Sequence, residues 1–129
     1  NKAFVAASAR AFVHSDTKRY DFILIDTYTN TFSIPQETTT REFLMDTKKL
    51  LKPNGVLIAN IISSPDFREK FTVRYHNTFA SVFPVFTRQV ISSFNPWPKA
   101  DQPLKPEHLN NILYIYHNHP LTDDRTVYT

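Results

Sequence analysis

The sequence predicts an α/β fold with one largely parallel sheet, and two observations support this. Short apolar runs of strand length alternate with segments whose apolar residues recur every three or four positions. That alternation is typical of crossover units, which place neighbouring strands in parallel. The last two strand-like runs are instead joined by a proline-rich stretch, so we expect them to form an antiparallel pair at one edge. The prediction is about four strands and two main helices.

The first part of the chain leads from a short helix into a buried strand. Residues 3–7 fit a short strand or the start of a helix, and residues 8–16 fit one or two helical turns with Ser8 as the N-cap. The run at 21–26, DFILID, is apolar until it ends in Asp26. Such continuous runs favour a parallel strand that is covered on both faces.

The second helix is predicted from its start signal and its apolar face. Thr39 and Glu42 fit a Thr-x-x-Glu capping box. The helix should end at residues 53–55, where Asn54 or Gly55 can adopt the left-handed conformation. The next run, VLIANII at 56–62, is a second buried strand. The apolar face comprises Phe43, Leu44, Thr47, Leu50 and Leu51.

The second half of the chain predicts a long amphipathic helix and two strands. Ser64 and Pro65 fit an N-cap and a first helical position, and Pro84 ends the helix. Strands are predicted at 85–94 and 110–119, with a proline-rich loop at 95–108 and a tail at 120–129. We interpret the apolar stripe of this helix as core. It comprises Phe67, Phe71, Tyr75, Phe79, Val82 and Phe83.

Composition excludes several classes of function. The 129 residues suffice for one domain, and the absence of cysteine excludes disulfides and thiolate zinc sites. The net charge of +3 is spread along the chain, so we expect no nucleic-acid partner. No apolar run reaches the roughly 18 residues of a membrane span, so we expect no membrane partner and a cytoplasmic location.

Glycine is scarce and histidine is scattered. The chain holds one glycine, Gly55, so it cannot supply a glycine-rich loop that brings backbone close to a nucleotide. His117 and His119 would share one strand face, but a tetrahedral metal site needs further ligands, and we expect no metal. We interpret the other histidines as surface residues. They are His14, His76 and His108.

Three stretches resemble the spermidine synthase (polyamine aminopropyltransferase) family of class I S-adenosylmethionine-dependent transferases. They are SARAFVHSDTKRYDFILID at 8–26, IPQETTTREFL at 34–44 and LLKPNGVLIANI at 50–61. The resemblance implies the C-terminal half of a Rossmann-like methyltransferase sheet. Residues 1–129 would then be a single partial domain that lacks the glycine-rich, nucleotide-binding half. We expect no measurable nucleotide affinity or activity from this chain alone.

The resemblance also implies a site around Asp26, which would be the base that deprotonates an attacking amine. The substrate that donates the transferred group would be S-adenosylmethionine or its decarboxylated form, contacted by Ser8, Ala9, Asp26 and Thr27. The small-molecule acceptor, an amine or another nucleophile, would contact Tyr28 and Thr29. The local sequence alone favours an Asp26 that accepts backbone N–H groups in the turn that follows it, and Tyr28 can pack as a loop aromatic.

Two positions depart from the family pattern. Ser8 stands where the family often places an acid that reads the adenine amino group. Thr29, followed by Asn30, stands where polyamine synthases tend to have a second acid for the distal ammonium. Two alternatives therefore stay open, a methyltransferase with an unknown acceptor and a non-catalytic, transferase-like binding module. Missing strands would leave an open sheet edge, which predicts a homo-oligomer.

Overall fold

The structure, a computed structural model, describes residues 4–27, 36–91, 101–103 and 109–119. These residues form one four-stranded sheet with three α-helices and a 3-10 helix. In chain order the elements are α1 Ala9–Ser15, β1 Tyr20–Ile25, the 3-10 helix Gln36–Thr38, α2 Arg41–Lys49, β2 Leu51–Ser63, α3 Lys70–Val82, β3 Thr87–Val90 and β4 Asn110–His117. Among them, no helix is long and apolar enough to cross a membrane.

The strand order in the sheet is β1-β2-β4-β3. β1 and β2 are parallel, and β4 is antiparallel to both of its neighbours, β2 and β3. The predicted α/β class and the antiparallel edge pair are therefore confirmed, and β4 is inserted between β2 and β3. As a result, β1, β2 and β3 run in the same direction, and their carboxyl ends lie at one edge of the sheet.

One face of the sheet packs against the helices and forms the core. Along β2 the odd-numbered residues from Gly55 to Ser63 are buried, whereas the even-numbered residues between them are only partly buried. The predicted face of α2 is buried in full. Phe79 of α3 is fully buried, and its ring centroid lies 4.5 Å from that of Phe83 and 5.0 Å from that of Tyr114. The predicted stripe is core from Tyr75 to Phe83, but its first residue, Phe67, precedes α3 and is 44% exposed, and Phe71 is only partly buried.

The opposite face of the sheet carries apolar side chains that no described element covers. Phe22 is 55% exposed and Leu24 is 54% exposed, while Ile25 on the other face is 7% exposed. The expectation that β1 is covered on both faces is wrong for the described residues. The reason is that their helices pack on one side only.

The predicted helix end at residues 53–55 is wrong, because α2 ends at Lys49 and β2 begins at Leu51. The chain already joins the sheet at Leu50, whose carbonyl accepts from the Tyr20 N–H at 2.7 Å. Asn54 lies within β2 and adopts the predicted left-handed conformation, with φ 67°.

The register of the parallel pair shifts between Tyr20, which pairs with Leu51, and Phe22, which pairs with Val56, so β2 holds extra residues at a bulge. A Cβ on Gly55 would lie 2.9 Å from the Lys52 carbonyl oxygen and 3.1 Å from that of Tyr20. Glycine is therefore favoured at position 55.

Helix starts differ from prediction in two of three cases. Ser8 is the N-cap of α1, as predicted, and its Oγ accepts from the Ala11 N–H at 3.2 Å. The N-cap of α2 is Thr40, not Thr39, because Thr40 Oγ1 accepts from the Phe43 N–H at 3.1 Å. Thr39 instead donates its hydroxyl to the Gln36 carbonyl at 2.7 Å, so the capping-box assignment was one residue early. Residues 4–7 form neither strand nor helix.

α3 begins at Lys70, several residues after the predicted start at Ser64 and Pro65. Ser64 is held in a turn, with its hydroxyl donating to Asp66 at 2.7 Å and its N–H donating to the Glu69 carboxylate at 3.0 Å. These local bonds compete with helix formation. The predicted strand at 85–94 is observed as β3 at Thr87–Val90, and its residues 92–94 lie outside the described part of the chain.

Candidate functional site at the carboxyl ends of β1 and β2

Asp26 lies at the carboxyl end of β1 and is exposed. Ile25 pairs with Ala59 of β2, so the next residues, Asp26 and Asn60, meet at the same level. The side-chain amide of Asn60 donates to Asp26 Oδ1 at 3.4 Å. The turn that follows Asp26 lies largely outside the described residues, so the turn-capping interpretation of Asp26 stays a prediction.

Thr27 connects the end of β1 to the entry of α2. Its hydroxyl donates to the Thr38 hydroxyl at 2.9 Å, and Thr38 is buried in the 3-10 helix. The segment between them, 28–35, is outside the described residues, so Tyr28 and Thr29 receive no structural account. The Thr27–Thr38 bond joins the residue that follows Asp26 to the 3-10 helix.

Ser8 and Ala9 start α1, which lies beside α2 in the same direction. His14 Nδ1 of α1 lies 3.0 Å from the Asp46 carboxylate of α2, in corresponding turns of the two helices. Each helix leads through a short connection into the amino end of its strand, so both helices start toward the carboxyl edge of the sheet. The Ser8 hydroxyl is engaged in the N-cap, and Ala9 packs against the core.

A polar network beyond the end of β2 was not predicted from the sequence. Ser63 and Thr72 are buried with their hydroxyl oxygens 2.5 Å apart. Arg68 donates to Asp66 from Nε and Nη2, each at 2.8 Å. Burial opposes ionisation of Asp66, but the hydrogen bonds from Arg68 and Ser64 outweigh it and hold the pKa of Asp66 below 3.8. This turn was missed because the sequence from Ser64 onward has the apolar spacing of a helix.

Buried Arg88 and Tyr114 form a second polar group with the partly buried His76. The Arg88 guanidinium donates to the Tyr114 hydroxyl at 3.1 Å and to the Pro65 carbonyl at 3.3 Å, and it stacks 4.5 Å from the centroid of Phe67. His76 Nδ1 lies 3.0 Å from the same Tyr114 hydroxyl. The surface interpretation of His76 is wrong. Burial, followed by the charge of Arg88, lowers the pKa of His76 from 6.5.

A cavity of about 390 Å³ opens between the 3-10 helix and α3. Its described lining is Gln36, Thr39, Phe71, Arg74, Tyr75 and Thr78.

The rings of His117 and His119 lie 3.9 Å apart at the end of β4. Within the described ranges, His, Asp and Glu side chains form no group of three or more that could hold a metal ion.

Comparison with known proteins gives one sequence relative and several structural ones. No model of a known protein family matches the chain. The chain is 39% identical over 66 residues to the polyamine aminopropyltransferase of Vibrio vulnificus (strain CMCP6). That match covers 51% of this chain and 22% of the relative.

The structural relatives share the fold at low sequence identity. A probable spermidine synthase from Corynebacterium glutamicum ATCC 13032 matches 93% of this chain and 39% of its own, with TM-score 0.62 and 24% identity. Human methyltransferase-like protein 13, solved with SAH, matches 95% of this chain and 50% of its own, with TM-score 0.62 and 20% identity. A spermidine synthase solved with the transition-state analogue AdoDATO matches 88% of this chain and 35% of its own, with TM-score 0.64 and 18% identity.

These similarities confirm the resemblance to polyamine aminopropyltransferases that the motifs predicted. The chain spans about a fifth of its curated relative and half or less of each of these structural relatives. Its mixed sheet has the Rossmann-like methyltransferase fold and fits the C-terminal half of that fold.

Proposed function

We propose that the chain forms the acceptor-side half of an aminopropyltransferase, which moves an aminopropyl group from decarboxylated S-adenosylmethionine to an amine. The observation that carries the proposal is Asp26 at the carboxyl end of β1, oriented by Asn60, in a chain similar to a polyamine aminopropyltransferase. Ligands of open α/β sheets bind beyond the carboxyl ends of the strands, where this carboxylate lies.

Asp26 would act as the base. The acceptor amine is protonated near neutral pH, and an ammonium has no electron pair with which to attack. The Asp26 carboxylate takes that proton, and the neutral nitrogen attacks the methylene next to the sulfonium. A C–N bond forms as the C–S bond breaks, the electron pair goes to sulfur, and a neutral thioether leaves without needing an acid. Asn60 holds Oδ1, and Oδ2 has no hydrogen-bond partner among the described residues, so it is free to receive the proton.

The donor substrate would contact Ser8, Ala9, Asp26 and Thr27, and the acceptor would contact Tyr28 and Thr29. The single glycine, Gly55, packs against β1 carbonyls and cannot form a phosphate- or nucleotide-binding turn. We therefore propose that a glycine-rich half outside these residues completes the nucleotide site. Catalysis by this chain alone is not expected.

The test is Asp26→Asn in the protein that carries this chain, assayed for thioether release from decarboxylated S-adenosylmethionine with a panel of amines. Loss of the base should lower kcat by about 100-fold or more while nucleotide affinity is retained. Asp21→Asn is the matched control, since Asp21 is an exposed aspartate at the opposite end of β1 and should leave kcat unchanged. Full turnover by the Asp26→Asn protein would remove Asp26 from the role of base.

A methyltransferase with an unknown acceptor is the second candidate. It is favoured by Thr29 and Asn30, where a polyamine synthase would tend to carry an acid, and by the fold shared with the human methyltransferase-like protein. The same assay distinguishes the two, because methyl transfer uses S-adenosylmethionine and aminopropyl transfer uses only its decarboxylated form. Binding of neither donor would favour the non-catalytic module, and sedimentation would then test the predicted homo-oligomer.

A further inference from the structure

The cavity between the 3-10 helix and α3 has the size and lining of a small-molecule site. Its volume of about 390 Å³ falls within the range of about 300–1,000 Å³ found for ligand pockets. Phe71 and Tyr75 supply aromatic walls, while Gln36, Thr39 and Thr78 supply an amide and two hydroxyls. Such a surface suits a short organic chain with polar groups at its ends.

Arg74 is the one charged residue in the described lining of this cavity. It also lines an adjoining cavity of about 340 Å³, together with Lys70 one helical turn away. Neither Arg74 nor Lys70 makes a hydrogen bond or ion pair with a described residue. The nearest acid in the second lining, Glu69, is already engaged by the Ser64 N–H at 3.0 Å. The cavity therefore presents a guanidinium that is not ion-paired with a described carboxylate.

A short series of residues links the proposed base to the cavity. Asp26 precedes Thr27, whose hydroxyl bonds that of Thr38 at 2.9 Å, and the next residue, Thr39, lines the cavity. A ligand whose amine lies at Asp26 would have to cross the strand ends and pass the two threonines to reach Arg74.

We propose that Arg74 binds an anionic group, a carboxylate or a phosphate, at the far end of the acceptor. The inference rests on the proposed function, since it assigns the other end of the same acceptor. A guanidinium binds carboxylate or phosphate through two parallel hydrogen bonds and repels an ammonium. The acceptor is then an amine that carries an anion, and the second ammonium of a diamine is disfavoured.

The experiment compares three probes that share one primary amine, namely 4-aminobutyrate, 4-aminobutyl phosphate and 1,4-diaminobutane. Binding to the protein is followed by amide chemical shifts, and transfer is followed by thioether release. The variants are Arg74→Gln and, as matched control, Lys70→Gln, which removes the same charge one turn away and outside the main cavity. Arg74→Gln should weaken binding of the better anionic probe about tenfold, as expected for one lost charge-assisted interaction. Lys70→Gln should change it by less than about twofold.

The outcomes separate this inference from the proposed function. Stronger binding of an anionic probe than of the diamine, lost in Arg74→Gln only, supports the Arg74 site. The anionic probe that binds more tightly then shows whether the site prefers a carboxylate or a phosphate. Turnover of the diamine with no effect of Arg74→Gln overturns the Arg74 site and leaves aminopropyl transfer intact. Anion binding lost in Arg74→Gln, without transfer to any probe, supports the Arg74 site and argues against the proposed function. Equal effects of both variants, or binding of neither anion, overturn the inference.

Discussion

The two faces of the sheet differ sharply in exposure although their strands are almost equally apolar. On the helix-covered face, Leu57 and Ala59 are fully buried. On the open face, Phe22 and Leu24 are each more than half exposed. Other open-face apolar residues are only partly buried, namely Val56, Ile58, Ile62, Leu113 and Ile115. The continuous apolar pattern of these strands therefore favours burial on both faces, whereas the described helices cover only one face.

The candidate site lies where the two faces meet. Asp26 and Asn60 follow the same alternation along their strands as Leu24 and Ile58, which places them on the side of the open face. The cavity with Arg74 lies on the helix side. The proposed acceptor would thus reach from one side of the sheet edge to the other.

The largest expected contrast between the faces is in core stability. Phe79→Ala should lower the free energy of unfolding by about 3–5 kcal/mol, because the ring is fully buried against Phe83, Phe86 and Tyr114. Phe22→Ala should lower it by less than about 1 kcal/mol, because the ring is already mostly in water. Urea unfolding of both variants measures the difference. Equal losses would mean that the open face is covered in solution.

A smaller loss is expected at the bulge that keeps Phe22 and Leu24 on the open side. Gly55→Ala places a Cβ 2.9 Å from the Lys52 carbonyl oxygen, so backbone must move, and we expect a loss of about 1–3 kcal/mol. Asn54→Gly is the control, since glycine adopts φ 67° without strain and should be close to neutral. An unchanged urea midpoint for Gly55→Ala would show that the register does not depend on this close approach.

The sequence predicted those features that depend on local periodicity. The run ending in Asp26 is β1, and the apolar faces of α2 and α3 are core, because spacing alone determines which side chains share a face. The start of α3 was missed because the hydrogen bonds of Ser64 to Asp66 and Glu69 hold a turn that resembles a helix start in sequence.

Long-range features could not be predicted from local pattern. Asn60 was missed because its contact with Asp26 depends on the parallel register, which the bulge at Gly55 sets. His76 was missed because its burial depends on Tyr114, which is 38 residues away in sequence, and on Arg88. The Arg74 cavity needs two elements that the sequence does not show to be neighbours.

The smallest expected effect is a pH dependence of the free energy of unfolding that comes from His76. This residue lies in α3, on the helix-covered side of the sheet, and contacts Tyr114. Burial, then the charge of Arg88, lowers the pKa of His76 below 6.5, whereas the unfolded chain keeps the ordinary value. The neighbouring Tyr114 is neutral in this range, since its ordinary pKa of 10.0 is far higher and burial raises the pKa further. Below pH 6.5 the unfolded state binds the proton more readily, so stability should fall until the folded pKa is passed and then level off.

The His76→Gln protein, compared with wild type by urea unfolding from pH 7.5 to 5, tests this dependence. One histidine contributes at most about 1.4 kcal/mol per pH unit, and the partial burial of His76 keeps the effect below that limit. The variant should lose the part of the slope that lies just below pH 6.5, even if its stability at pH 7.5 is lower because the Tyr114 contact is gone. Parallel pH profiles for the two proteins would show that His76 is as well solvated in the folded state as in the unfolded one. His76 would then be as accessible to water as a residue on the open face, although it lies on the helix-covered side.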